Sequence, residues 1–213
     1  MRSSCVVPRL CRIVGLGLAL MVSLPALGAS AQEAPEIVSR AEWGAKPANV
    51  EMMTPQTPRE IVIHHTGTRQ HPRLSLERKL RSLQGFSQHP GTVNGRTKAA
   101  WGDLPYHFYI DAVGRIGEGR DVGYAGDTNT AYSTTNRIQI VMEGQFDDEQ
   151  PSAAQLDALD RLVAWLAARY RVPADKISGH NDHARTACPG KHLKAHLPAL
   201  IEKVKAAGAS HAR

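Results

Sequence analysis

The sequence predicts a single α/β domain built on a central mixed β-sheet flanked by helices. Three observations carry that expectation. Glu60-Ile61-Val62-Ile63-His64-His65-Thr66 is a short strand candidate, apolar on both faces, which suits the middle of a sheet covered on both sides. Strand-like runs then alternate with stretches whose apolar residues recur at helical spacing, the order of a layered α/β fold. Length agrees: of 213 residues, 31 are expected to leave and 182 to remain, enough for one domain with a full core.

Residues 1–31 carry the three parts of a secretory signal. Arg2, Arg9 and Arg12 supply the positive start, Ile13 to Leu27 the apolar run, and Ala29-Ser30-Ala31 the small-x-small cleavage pattern. The run falls short of the roughly 20 residues a spanning helix needs, and Pro25 interrupts it, so no stable membrane anchor is expected after removal. Residues 32–36 read as a flexible lead, 37–207 as the domain and 208–213 as a tail. Three of the 26 basic residues leave with the signal and no acidic ones do, taking the formal charge from +6 to +3. No run of five like charges occurs, so nucleic acid is not an expected partner.

After the first strand, Leu76, Leu80, Leu83 and Phe86 recur at helical spacing and predict a helix from Leu74 to Phe86. Residues 89–100, rich in Gly, Asn, Thr and Lys, read as a loop. Tyr106 to Ile110 reads as a strand, Asp111 to Gly114 as its turn and Arg115 to Glu118 as the return; Arg137 to Glu143 is another strand. Ser152-Ala153-Ala154-Gln155 is a capping box, and the helix behind it should stop near Arg171, because Pro173 disfavours helix in the residue before it. Lys176-Ile177-Ser178 is a short last strand, and Leu193 to Ala207 a helix in which Pro198 makes a kink or opens the second half.

The chemistry begins with a cysteine that has no partner. Cys5 and Cys11 lie in the expected signal, so Cys188 alone stays in the mature chain. Exported proteins usually pair their thiols or lack them. Zinc takes imidazole and thiolate ligands and leaves a position for water in catalytic sites, and His64, His180 and Cys188 would make such a set. Water held there loses a proton near neutral pH and can attack a carbonyl polarised by the metal. The bland readings are a core histidine and a small buried hydrophobe. His65 competes with His64, because adjacent strand residues point to opposite faces and this strand is apolar on both. His183 lies between two better candidates, and His107 reads as structural.

These residues belong to a longer pattern. Ile37-Val38-Ser39-Arg40-Ala41-Glu42-Trp43-Gly44-Ala45, Ile61 to Thr66, Leu80 to Phe86 with Trp101 to Phe108, Glu118-Gly119-Arg120, Glu143 to Phe146, and Ser178-Gly179-His180 through Pro189-Gly190 occur in order. Together they resemble the zinc N-acetylmuramoyl-L-alanine amidases (amidase type 2) that include peptidoglycan recognition proteins and phage T7 lysozyme. The resemblance covers about residues 37–200 and implies that family's fold.

It further implies His64 rather than His65 as a ligand, with His180 and Cys188 completing a site for one zinc per chain. Tyr106 matches a tyrosine beside the metal, and is assigned to orienting the attacking water or taking its proton. Thr186 would hold the developing oxyanion, and the two roles are exchangeable. Trp101 and Arg120 resemble positions that contact diaminopimelate-type stems. The implied reaction is hydrolysis of the amide between the lactyl group of N-acetylmuramic acid and L-alanine, in peptidoglycan or muropeptides, by a periplasmic or secreted monomer. The alternatives are a recognition protein that binds without cutting, and a zinc hydrolase of another exported amide. Two departures stand out: Val141 occupies the place of a Glu that acts as acid/base in a cytosolic branch, and Tyr124-Ala125-Gly126 stands where many relatives carry a His.

Overall fold

Val62, Ile61 and Ile63 are β-branched and buried, and the strand they form, β2 (Glu60–His65), is paired along both edges. A computed structural model describes Met1, residues 33–93 and residues 95–211; the remainder of the expected signal, with Cys5 and Cys11, lies outside the described residues. The sheet also contains β1 (Ile37–Val38), β5 (Phe108–Ile110), β6 (Ile116–Glu118), β7 (Arg137–Met142) and β8 (Ile177–Gly179). Its order is β1-β6-β5-β7-β2-β8. β2 runs parallel to β7 and β8, and β5 parallel to β7, while β5 and β6 form an antiparallel pair, so the sheet is mixed.

Among the described residues, three α-helices flank the sheet: α1 (Leu76–Ser87), α2 (Ala153–Tyr170) and α3 (Lys191–His211). The capping box of α2 forms as expected. Ser152 Oγ accepts from the Gln155 N–H at 3.2 Å, and Gln155 Oε1 accepts from the Ser152 N–H at 3.1 Å. The helix ends at Arg171, whose φ of 54° puts it in the left-handed region. α1 starts two residues later than its periodicity suggests, because Ser75 caps it and accepts from the Arg78 N–H.

Three local expectations need revision. Residues 91–98 are not a plain loop: β3 (Gly91–Val93) and β4 (Arg96–Lys98) make a small antiparallel ribbon, turning at Gly95 with φ 74°. The Asn94-Gly95 dipeptide was its signal. Phe86 is 46% exposed rather than part of the buried stripe of α1, and its ring lies 5.1 Å from the Lys98 ammonium. α3 is one helix with Pro198 inside it, and it continues through 208–211, which had read as tail.

Alternation along the strands sorts two cores. Ile61, Ile63, Ile138, Ile140, Met142, Phe108 and Ile110 point to the face that α2 and α3 cover, where Leu159, Leu162, Leu166, Leu193 and Leu200 meet them. Val141 and Tyr109 point to the other face and pack with Leu76 and Leu80 of α1 and with Trp43 and Leu104. His64 pairs in register with Val141, and Val62 with Gln139, so His64 and Gln139 open on this second face.

Candidate metal centre

His64 is the fifth residue of β2, His180 directly follows β8, and Cys188 follows a short loop beyond it. Because β2 and β8 are paired, the two histidines converge, with ring centroids 4.6 Å apart. The Cys188 loop is held from below. Its Sγ accepts from the His65 backbone N–H at 3.3 Å, and the Cys188 N–H donates to Thr186 Oγ1 at 3.2 Å. Gly190 closes the turn with φ 88°, and a Cβ there would lie 2.5 Å from the carbonyl carbon of Phe146, so only glycine fits.

One ligand atom each from His64, His180 and Cys188 lies within 4.8 Å of the others. Cys188 Sγ is 3.6 Å from His64 Nδ1. Tetrahedral zinc with Zn–N of about 2.0–2.1 Å and Zn–S of about 2.3 Å places adjacent donors roughly 3.5 Å apart, so this edge fits. The ring nitrogens are sorted accordingly. His64 Nε2 is bonded to Gln139 Oε1 at 2.5 Å, which leaves Nδ1 toward the sulfur. His180 Nε2 lies 2.7 Å from Thr130 Oγ1, and its Nδ1 has no hydrogen bond among the described residues.

The electrostatics suit a cation. Burial, and then the neighbouring His180, hold His64 down at about 3; burial, with His183 and His65 nearby, holds His180 down at about 4. Both rings are therefore neutral near pH 7, the form that ligates. Burial pushes the Cys188 thiol up to about 12, against the pull of the His65 N–H, so a thiolate here needs a positive charge beside it.

His65 points the other way. Its Nδ1 accepts from the Phe146 N–H at 3.3 Å, and its ring packs beside Phe146 at 6.2 Å. Tyr106 stands half-buried with its ring 5.2 Å from His64, and its hydroxyl makes no hydrogen bond among the described residues. Burial raises its phenol above the ordinary value, and the Cys188 and Tyr132 groups add to that. Thr186 borders the cysteine. Trp101 is half-exposed and stacks over the Lys98 ammonium at 4.5 Å.

Arg120 is placed differently from its expected role. It is 1% exposed, its Nε donates to Leu104 O at 2.7 Å, and its Nη atoms bond the carbonyls of Asp103 and Ala125 and the carboxylate of Asp127. Those bonds use four of its five N–H donors and hold the buried guanidinium within the wall made by residues 103–127. His107 is structural as expected. It is fully buried, accepting from the Gln139 N–H at 2.8 Å and donating to Tyr124 O at 2.9 Å. His183 bonds Ser178 Oγ at 2.8 Å and stacks on Tyr132. Val141 is fully buried among apolar side chains, so no acid/base group stands at that position.

Sequence reasoning missed Thr130, Tyr132 and Gln139. Gln139 lies in an apolar strand, where a lone polar residue on one face was the available signal. Thr130 and Tyr132 sit in the irregular 127–136 connection, where spacing carries no periodic signal.

Comparison with known proteins places this geometry. Residues 54–191 match the family described as N-acetylmuramoyl-L-alanine amidase. The chain belongs to that family. Peptidoglycan-recognition protein SD of Drosophila simulans is 30% identical over 182 residues, covering 83% of this chain and 90% of its own length. The structure of Drosophila peptidoglycan recognition protein LB is 26% identical, with a TM-score of 0.64 over 77% of this chain and 93% of that one. An endolysin N-acetylmuramoyl-L-alanine amidase from Clostridium intestinale shares the fold at 22% identity, with a TM-score of 0.61 over 80% and 98%. The family match and the recognition-protein relatives therefore cover the same domain. Among the described residues, no helix is long and apolar enough to cross a membrane.

Proposed function

We propose that this chain is an exported, zinc-dependent N-acetylmuramoyl-L-alanine amidase that hydrolyses the amide between the lactyl group of N-acetylmuramic acid and L-alanine. The observation that carries the reading is the convergence of His64, His180 and Cys188 within 4.8 Å on the open face of the sheet, beside Tyr106. A module that only binds has no need of three such donors. Zinc, when bound, supplies a Lewis acid that polarises the scissile carbonyl and lowers the pKa of water.

The chain's own residues divide the remaining work. Tyr106, whose hydroxyl has no hydrogen-bond partner among the described residues, orients the attacking water or takes its proton. Thr186 Oγ1 accepts from the Cys188 N–H, so its own hydroxyl hydrogen is available to the developing oxyanion. Peptidoglycan or muropeptides lie across this face, with Trp101 as a candidate contact. The expected protein is a monomer with one zinc, working in the periplasm or outside the cell. The names of its relatives favour a second reading, binding of wall fragments without cleavage.

The test uses the protein lacking its first 31 residues, incubated with peptidoglycan with and without a zinc chelator. Release of peptides with a new N-terminal alanine, stopped by the chelator and restored by zinc, is the expected result. Fragment binding without release would favour the second reading. Cys188→Ser should lose nearly all turnover, and full activity in it would reject the ligand set.

A further inference from the structure

Each candidate zinc-binding histidine has a neutral oxygen behind it, and the two oxygens come from places unrelated to the ligands. We propose that Gln139 and Thr130 are positioning residues that set the tautomer and aim of His64 and His180, so that each presents Nδ1 to the metal. The proposal rests on the zinc reading above.

Gln139 is 1% exposed in the middle of β7. Its Oε1 receives two donors, His64 Nε2–H at 2.5 Å and the Tyr132 hydroxyl at 3.1 Å. Its Nε2 is buried with no hydrogen-bond partner among the described residues. An unpaired buried donor is a cost to folding, so stability alone does not explain an amide at this position. Its oxygen has a use that an apolar side chain could not supply. The reverse orientation of the amide would set a donor against His64 Nε2. The ring proton would then sit on Nδ1, facing Cys188 Sγ at 3.6 Å and blocking ligation.

Tyr132 keeps the oxygen where it is. Its ring lies between His180 at 4.9 Å and His183 at 5.7 Å, with the Arg137 guanidinium 5.6 Å away, and its hydroxyl donates to Gln139. Thr130 does the same service for His180. His180 Nε2 lies 2.7 Å from Thr130 Oγ1, which lies 2.7 Å from Thr128 Oγ1; with Nδ1 turned to the metal, the Nε2–H would donate to Thr130 and the Thr130 hydroxyl to Thr128. The 127–136 connection and one strand residue therefore orient both rings. Groups that hold the far nitrogen of a ligating histidine fix its tautomer and raise its basicity, and losing one typically weakens metal binding about 10–100-fold.

The experiment measures zinc affinity of the purified chain by competition with a chromophoric chelator, together with the absorption spectrum of the cobalt-substituted protein. Wild type, Cys188→Ser, Gln139→Leu, Gln139→Glu, Thr130→Val and Thr130→Ser are compared. Gln139→Leu and Thr130→Val should each bind zinc about 10–100-fold more weakly and shift the cobalt bands, while Gln139→Glu and Thr130→Ser, which keep an acceptor, stay near wild type. Wild-type affinity and spectra in both Gln139→Leu and Thr130→Val would overturn the inference and leave the zinc reading intact. Equal, weak binding by wild type and Cys188→Ser would instead overturn the zinc reading itself. If Gln139→Leu does not fold, Thr130→Val against Thr130→Ser decides.

Discussion

His64 and His65 are neighbours in one strand and live in different chemistry. On the face that carries His65, the sheet meets α2 and α3 through a continuous apolar cluster, and His65 spends its ring on Phe146. On the face that carries His64, the apolar packing around Trp43, Leu76 and Val141 stops partway, and His64, Gln139 and Tyr106 take over. One face holds the fold, and half of the other carries the candidate metal centre. A slip of one residue in β2 would exchange the two histidines and undo both arrangements.

Removing each of the pair in turn is the hardest test. His64→Ala should remove zinc and lower turnover about a thousandfold, as expected for a lost Lewis acid worth several kcal/mol. His65→Ala should keep stoichiometric zinc and lose stability. Zinc retained in the first variant and lost in the second, measured by metal analysis after dialysis, would invert the assignment. Tyr106→Phe separates metal binding from chemistry on the open face. It should reduce kcat about 10²–10⁴-fold, the range for a positioned proton-transfer group, with zinc content unchanged. Steady-state rates on muropeptides check it.

The covered face should respond in the opposite sense. Ile140 is fully buried and pairs in register with Ile63 and Phe108. Ile140→Ala should cost about 2–5 kcal/mol in denaturant unfolding yet leave kcat of the folded, zinc-loaded protein near wild type. A large kcat loss at full zinc occupancy would mean that the two faces are coupled.

The last comparison concerns the buried histidines as a class. Burial holds His107 down at about 4, and a proton on its Nδ1 would break the bond from the Gln139 N–H. The depressed folded value means that the unfolded chain takes up the proton first. Stability is therefore full above the unfolded value near 6.5 and is lost as pH falls toward 4. His107 alone accounts for about 3 kcal/mol across that window, and His64 and His180 act in the same direction in the zinc-free protein. Urea midpoints of zinc-free protein at pH 7, 5.5 and 4.5 should fall steadily. A flat profile would reject the buried neutral state.

Much was legible in the residues alone. The doubly apolar run of β2, the Ser152 capping box, the helical stripe of Leu76, Leu80 and Leu83, and the lone Cys188 are local signals, and each depends on interactions a few residues long. They gave the fold class, the main elements and three candidate donors. The amide-bearing Gln139, the 127–136 connection and the fate of Arg120 were not legible in that way. Periodicity could not say which histidine of β2 faced the site, since both faces of the strand are apolar. That choice is decided by the pairing of β2 with β8, which brings His180 to the His64 side. Arg120 shows the same limit from the other direction. Only the family resemblance offered Arg120 to a ligand, and the carbonyls of Asp103, Leu104 and Ala125 closing around it make it part of the wall. Hydrogen-bond partners tens of residues apart are set by packing, whereas caps, strands and helical stripes are set by the neighbours along the chain.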